Sequence, residues 1–117
     1  KSRRQDPKET PFFIVKDSKF SDKKNGFISD LDEEFVRDLI VNGCSYCGEI
    51  NIRMTVDRID NSLGHTKNNV VASCSRCNFI RNDMPYQAWF LLVPSIRKAR
   101  ELGFFDNWTG GIHRKSK

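Results

Sequence analysis

All four cysteines of the chain fall in two CxxC pairs, CSYC at 44–47 and CSRC at 74–77. Each pair can turn two thiolates toward one tetrahedral ion, so together they describe a closed four-sulfur site. Disulfides or iron could use the same residues. A disulfide framework, though, belongs to small secreted chains with a signal peptide, and four thiolates around one ion are the usual structural home of Zn²⁺. Cys44, Cys47, Cys74 and Cys77 are therefore expected to bind a structural zinc. With four protein ligands that ion has no open position for a substrate, so any chemistry must come from other residues. Cys47 and Cys74 stand 27 positions apart, and the chain between them must leave the ion and return to it as its own hairpin.

A staple of this kind matters at this size. The chain has 117 residues, 38% of them hydrophobic, which suits one domain but is thin for a large core. Metal binding would add folding energy that burial alone supplies sparingly. Twenty Lys and Arg face 15 Asp and Glu, a net +5 that leans toward a polyanionic partner without requiring one. Residues 1–26 hold eight Lys or Arg against four acids, and the end GGIHRKSK adds Arg114, Lys115 and Lys117. Residues 1–27 thus read as a basic N-terminal segment and 109–117 as a basic tail, either arms for nucleic acid or solvated ends. No run approaches the roughly 18 apolar residues of a membrane span, and the basic start lacks the apolar stretch of a signal peptide. We expect a soluble, intracellular protein with no membrane partner.

Residues 28–108 are expected to form a single domain. FFIVK at 12–16, after Pro11, suits a short strand or an apolar anchor. SDLDEEFVRDLIVNG reads as a helix, with Ser29 or Asp30 as cap, acids in the first turn, and Leu31, Phe35, Leu39 and Ile40 on one face. MTVDRI from Met54 alternates as a strand, DNSLGHTKNN is a polar loop, VVAS is a second strand, and CSRCNFIRND has helical character. PYQAWFLLV and PSIRKARELG then resemble two more helices over about 85–103, the second opening at Pro94 and ending at Gly103. Trp89, Phe90, Leu91, Leu92, Ile96, Ala99 and Leu102 have the composition of core faces. The class is α+β, with a small treble-clef-like core at about 44–83 stapled by the four cysteines and flanked by helices. That order puts Asp57, near the end of the first strand, in line to face Asn78, one residue past Cys77.

These residues resemble the HNH, or ββα-metal, nucleases, in particular the compact zinc-bound versions encoded by phages. The resemblance lies in TVDRI, GHTKNNVV and CSRCNFIRND, inside the two cysteine pairs. It implies that Asp57 and Asn78 bind a catalytic Mg²⁺ or Mn²⁺ and that Asn69 braces the loop between them. A hard cation takes oxygen ligands, and few protein ligands leave room for phosphate and water. Arg58 stands where the family has a histidine as general base, and a guanidinium that stays protonated cannot do that work. His65, the one histidine between the cysteine pairs, is the leading substitute, and a loop histidine touching phosphate or nothing is the plainer reading. Asp60 is the next candidate, as base or metal contact, and Arg58 could clamp the phosphate. Lys67, Arg76 and Arg81 are candidate contacts to the DNA backbone, each also readable as a solvated charge.

The function implied by the resemblance is hydrolysis of a DNA phosphodiester to a 5′-phosphate and a 3′-hydroxyl, in the cytoplasm of a phage-infected host. Two alternatives use the same clasp: a DNA-binding module in which Arg58 has replaced the base, and a zinc-stabilised interaction domain. Asp57 and Asn78 separate them, because an acid in a groove meant for phosphate repels its ligand unless a cation intervenes.

Overall fold

The computed structural model describes residues 9–110. Its elements run α1 (Thr10–Asn25), α2 (Glu33–Ile40), β1 (Met54–Arg58), β2 (Val70–Cys74), α3 (Ser75–Arg81) and α4 (Tyr86–Glu101). β1 and β2 form an antiparallel hairpin with Met54 opposite Cys74 and Arg58 opposite Val70. α3 follows β2 without a linker: Cys74 ends the strand and caps the helix, its Sγ accepting from the Cys77 N–H. The result is an α+β fold with a ββα core beside a four-cysteine cluster. Both strands fall where the sequence predicts them, β1 on the alternation of MTVDRI and β2 on the apolar run VVAS. Among the described residues no helix is long and apolar enough to cross a membrane.

The apolar residues form two clusters joined by the hairpin. One gathers the four cysteines, Tyr46 and Trp89, with Met54, Val71, Ile80, Val93 and Ile96 packed against them. The other gathers Ile14, Leu31, Val36, Val56 and Val70, backed by Phe35, Leu39 and Ile40. Burying a side chain such as Val36 or Leu31 contributes about 1.5–3 kcal/mol, so each small cluster is modest by itself.

The N-terminal segment departs from expectation. Residues 12–16 are not a strand and 10–25 are not an arm: both lie in α1, which packs on α2 and β1 and so belongs to the folded unit. Pro11 sits in the first turn, where its missing N–H costs nothing, and Lys23 and Lys24 favour the negative end of the helix. Gly26 ends it in the left-handed region, φ 74°, with its N–H turned back to Asp22 and Lys23. Residues 1–8 of the basic segment, and residues 111–117 of the tail, lie outside the described residues.

α2 starts later than expected. Asp32, not Ser29 or Asp30, is the cap and accepts from the Phe35 N–H at 2.8 Å. Asp30 is engaged elsewhere, by the Lys67 N–H at 2.7 Å. The two expected C-terminal helices are one. α4 runs through Pro94, although proline deletes a helical hydrogen bond. Trp89 and Val93 before it and Ile96 after it all pack on the cysteine cluster, and Arg100 Nε donates to the Cys47 carbonyl at 2.8 Å. Contacts on both sides of Pro94 hold the helix together across it. The expected apolar face is reduced accordingly: Trp89 is buried, whereas Phe90, Leu91, Leu92 and Leu102 are exposed.

Candidate functional site

The two CxxC turns meet as the spacing predicts. One sulfur from each of Cys44, Cys47, Cys74 and Cys77 lies within 4.8 Å of every other. Cys47 Sγ and Cys74 Sγ are 3.8 Å apart. A tetrahedral Zn²⁺ with bonds of about 2.3 Å sets its sulfurs about 3.8 Å apart, so the cluster fits that ion. Backbone N–H groups of Tyr46 and Cys47 point at Cys44 Sγ, as that of Cys77 points at Cys74 Sγ. Hydrogen bonds from the neighbouring thiols press Cys44 far below the ordinary thiol range, and the same neighbours drive Cys77 far above it. Thiols this close compete for their protons, and a dication would replace those protons. Arg76 lies against this cluster, with Nη2 3.7 Å from Cys47 Sγ and Nη1 donating to the Phe105 and Trp108 carbonyls. Its side chain is only 3% exposed, so the expected phosphate contact by Arg76 is replaced by a structural one.

Asp57 and Arg81 also differ from expectation. The Asp57 carboxylate is buried, with Oδ2 accepting from Tyr46 Oη at 2.6 Å and from Arg81 Nη1 at 2.7 Å. Burial, then the bond to Asp57, raises the Tyr46 phenol well above its usual range, which keeps it a donor. Arg81 further donates to the carbonyls of Arg58, Ile59 and Met84 and to Asn61 Oδ1. It ties the end of β1 to α3 from inside the protein and has no surface to offer DNA. The Asp57 carboxylate is thus paired with a guanidinium and closed over by a phenol.

What does converge is a groove of about 260 Å³ between α1 and the ββα core, lined by Arg58, His65 and Asn78 together. Asn78 Nδ2 donates to the Val56 carbonyl at 3.3 Å, which leaves the amide oxygen as its free face. Arg58 Nη1 donates to the Asn61 and Leu63 carbonyls, and the guanidinium lies 5.7 Å from the centre of the Phe27 ring. His65 is anchored by Asp22 of α1: Nδ1 is 2.8 Å from Oδ1, and the His65 N–H donates to Oδ2 at 2.8 Å. Asp17 is the carboxylate among the lining residues, with Arg53 nearby as a further cation. Among the described residues the Arg53 guanidinium has no ion-pair partner. A larger recess, about 700 Å³, shares Thr10, Arg53 and Met54 with this groove, but its walls are mainly Ile40, Val41, Ile50 and Ile52, and it holds no acid or histidine.

The loop before β2 explains how His65 arrives there. Asn69 Nδ2 donates to the carbonyls of Asp60 and Gly64, and its Oδ1 accepts from the Asp60 N–H, so this side chain closes the loop on itself. Gly64 makes a close approach: a Cβ there would stand 2.0 Å from the Ile28 carbonyl oxygen. Asp60 is absorbed by Ser62, whose hydroxyl and N–H hold its carboxyl below the ordinary value, and it does not line the groove. It is thus a turn residue rather than a base. Lys67 pairs with Asp32 at 3.0 Å, also away from the groove. Sequence reasoning missed Asp22, Asp17 and Arg53. The first two lie on a helix whose start at Pro11 and stop at Gly26 were its visible signals, and nothing in the sequence marks Arg53.

No family model matches the chain, and no curated protein matches it. Among solved structures it is similar to one described as a mechanism of DNA perturbation exhibited by the rare-cutting HNH restriction endonuclease PacI. The TM-score is 0.61 at 19% identity, covering 76% of this chain and 78% of that one. At this identity the likeness is one of fold: the chain has an HNH-like fold.

Proposed function

We propose that this protein is a metal-dependent endonuclease that hydrolyses DNA phosphodiesters in the groove between α1 and the ββα core. The observation that carries the reading is the convergence of His65, Arg58 and Asn78 in one groove of an HNH-like fold. The similar structure is described as a DNA-cutting enzyme, which makes DNA the first substrate to try. Free thiols, as the four-cysteine site requires, suit a reducing cytoplasm such as that of a host cell.

His65 takes the proton of the attacking water through Nε2, the ring nitrogen not used by Asp22. The water oxygen bonds to phosphorus as the bond to the 3′-oxygen breaks, and the 3′-oxygen takes its proton from solvent. Arg58 and Arg53 hold the phosphate and balance its charge. Side-chain oxygen donors in the groove are Asp17, the Asn78 amide and the hydroxyls of Thr10, Ser18, Ser21 and Thr55, a hard set that fits Mg²⁺ or Mn²⁺. Such a cation, when bound, supplies positive charge at the phosphate and the leaving oxygen. Asp17 thereby takes the part that the family resemblance gave to Asp57. The four-cysteine zinc is structural in this scheme.

Purified protein incubated with supercoiled plasmid should relax or linearise it with Mg²⁺ or Mn²⁺ and not without. His65→Ala should slow cutting by roughly 10²- to 10⁴-fold, the usual range for a general base. Arg58 at the family's histidine position favours a second reading, a DNA-binding module. Tight DNA binding with plasmid intact under every divalent cation would establish that one instead.

A further inference from the structure

We infer that Asp22 is the positioning residue for His65, and that α1, outside the ββα core, is therefore part of the catalytic apparatus. The inference rests on the endonuclease reading for its catalytic meaning, but its structural content stands apart from it. Asp22 lies 43 positions from His65 and is 1% exposed on the inner face of α1. Both carboxylate oxygens go to His65, one to Nδ1 and one to the backbone N–H, each at 2.8 Å. A buried carboxylate with two such bonds to one residue fixes both the position of the loop and the rotation of the ring.

It also fixes the tautomer. An ionised carboxylate can only accept, so Nδ1 carries the hydrogen and Nε2 keeps its lone pair. His65 lines the groove and Asp22 does not, and Nδ1 is the nitrogen taken by Asp22, which leaves Nε2 for the groove. Once Nε2 takes a proton, the imidazolium stands beside the Asp22 charge in a poorly solvated setting, where the pair is strongest. Arg53 and Arg58, the cations around the groove, carry donors only and cannot compete with Asp22 for the ring hydrogen.

A purely structural Asp22 would anchor the loop through the backbone N–H, a bond that an asparagine oxygen can still accept. Asp22→Asn therefore separates the two roles, because its amide offers Nδ1 a donor and favours the opposite tautomer. The measurement is ¹⁵N NMR of imidazole-labelled full-length chain; the sequence has two histidines, and His113→Asn identifies the His65 signals. The unaltered protein should show His65 with Nδ1 protonated and Nε2 bare. Asp22→Asn should move the hydrogen toward Nε2 and lower kcat for plasmid cutting by roughly 10²- to 10⁴-fold with KM little changed. An Nε2-protonated ring in the unaltered chain overturns the inference, as does Asp22→Asn cutting at the parental rate. Should that variant fail to fold, the tautomer of the unaltered chain decides. If the unaltered chain cuts nothing, the endonuclease reading falls, while the tautomer still decides whether Asp22 sets the ring.

Discussion

The hairpin joins two halves of nearly opposite design. On one side, Tyr46 and Trp89 pack around four sulfurs spaced to hold one ion. On the other, α1, α2 and the loop around His65 are joined by a small apolar cluster and by directed polar bonds: Asp22 to His65, Asp30 to Lys67, Asn69 to its own loop. None of the buried residues of the first half lines the groove. The second is held by bonds to the loop that carries His65 into the groove.

Removing the ion should have the largest effect. Binding at a structural four-thiolate site contributes on the order of 10 kcal/mol, so a strong chelator, or Cys74→Ser, should unfold the chain. Since Val56 and Val70 of the hairpin serve the second cluster, Trp fluorescence and the His65 imidazole signals should vanish together. If the His65 signals outlast zinc, the two halves fold independently and the comparison fails.

Arg81→Ala comes next. It strands the buried Asp57 carboxylate without its cation, and urea unfolding should show a loss of about 3–5 kcal/mol. Asp57→Asn combined with Arg81→Met should recover part of that loss. A loss too small to resolve would mean that Asp57 is free to take a cation after all. Gly64→Ala should be milder, about 1–3 kcal/mol, since the loop must back away from the Ile28 carbonyl. That shift parts His65 from Asp22, so plasmid cutting should fall by more than stability does. The smallest effect belongs to Lys67→Ala: its pair with Asp32 is about half exposed, and neither the urea midpoint at moderate salt nor the cutting rate should move measurably.

Legibility in the sequence follows the same division. The cysteine cluster and the hairpin could be read because ligand spacing and strand alternation are local patterns, carried by residues 44–47, 54–58 and 70–77. α1 could not. Its buried residues are Pro11, Ile14, Ser18 and Asp22, and Phe12 and Phe20 face outward, so the hydrophobic period that marks a helix is missing. Pro11 and Gly26 did bracket it, but Pro11 next to FFIVK suits a strand equally well. His65 stood out as the one histidine between the cysteine pairs, yet nothing local could name its partner 43 positions away. Asp57, given a metal by the family resemblance, and Arg81, given a phosphate, pair with each other inside the fold, a contact that no local pattern shows. At Pro94 the local rule against proline in helices lost to packing on both sides of it.

The polar inner face of α1 also bears on how the chain reaches its fold. Cys47 and Cys74 must close over 27 positions and Asp22 and His65 over 43, and distant contacts of this kind form late. During synthesis the cysteine site is incomplete until Cys77 has been made, and α1 precedes it by some fifty residues. Until then α1 has no hairpin to lie on. A helix waiting with an apolar inner face would invite wrong partners, whereas one that shows Ser18 and Asp22 to water has little to stick with. Ser18, which lines the groove, and Asp22, which holds His65 in it, thus protect the nascent chain before there is any groove to line.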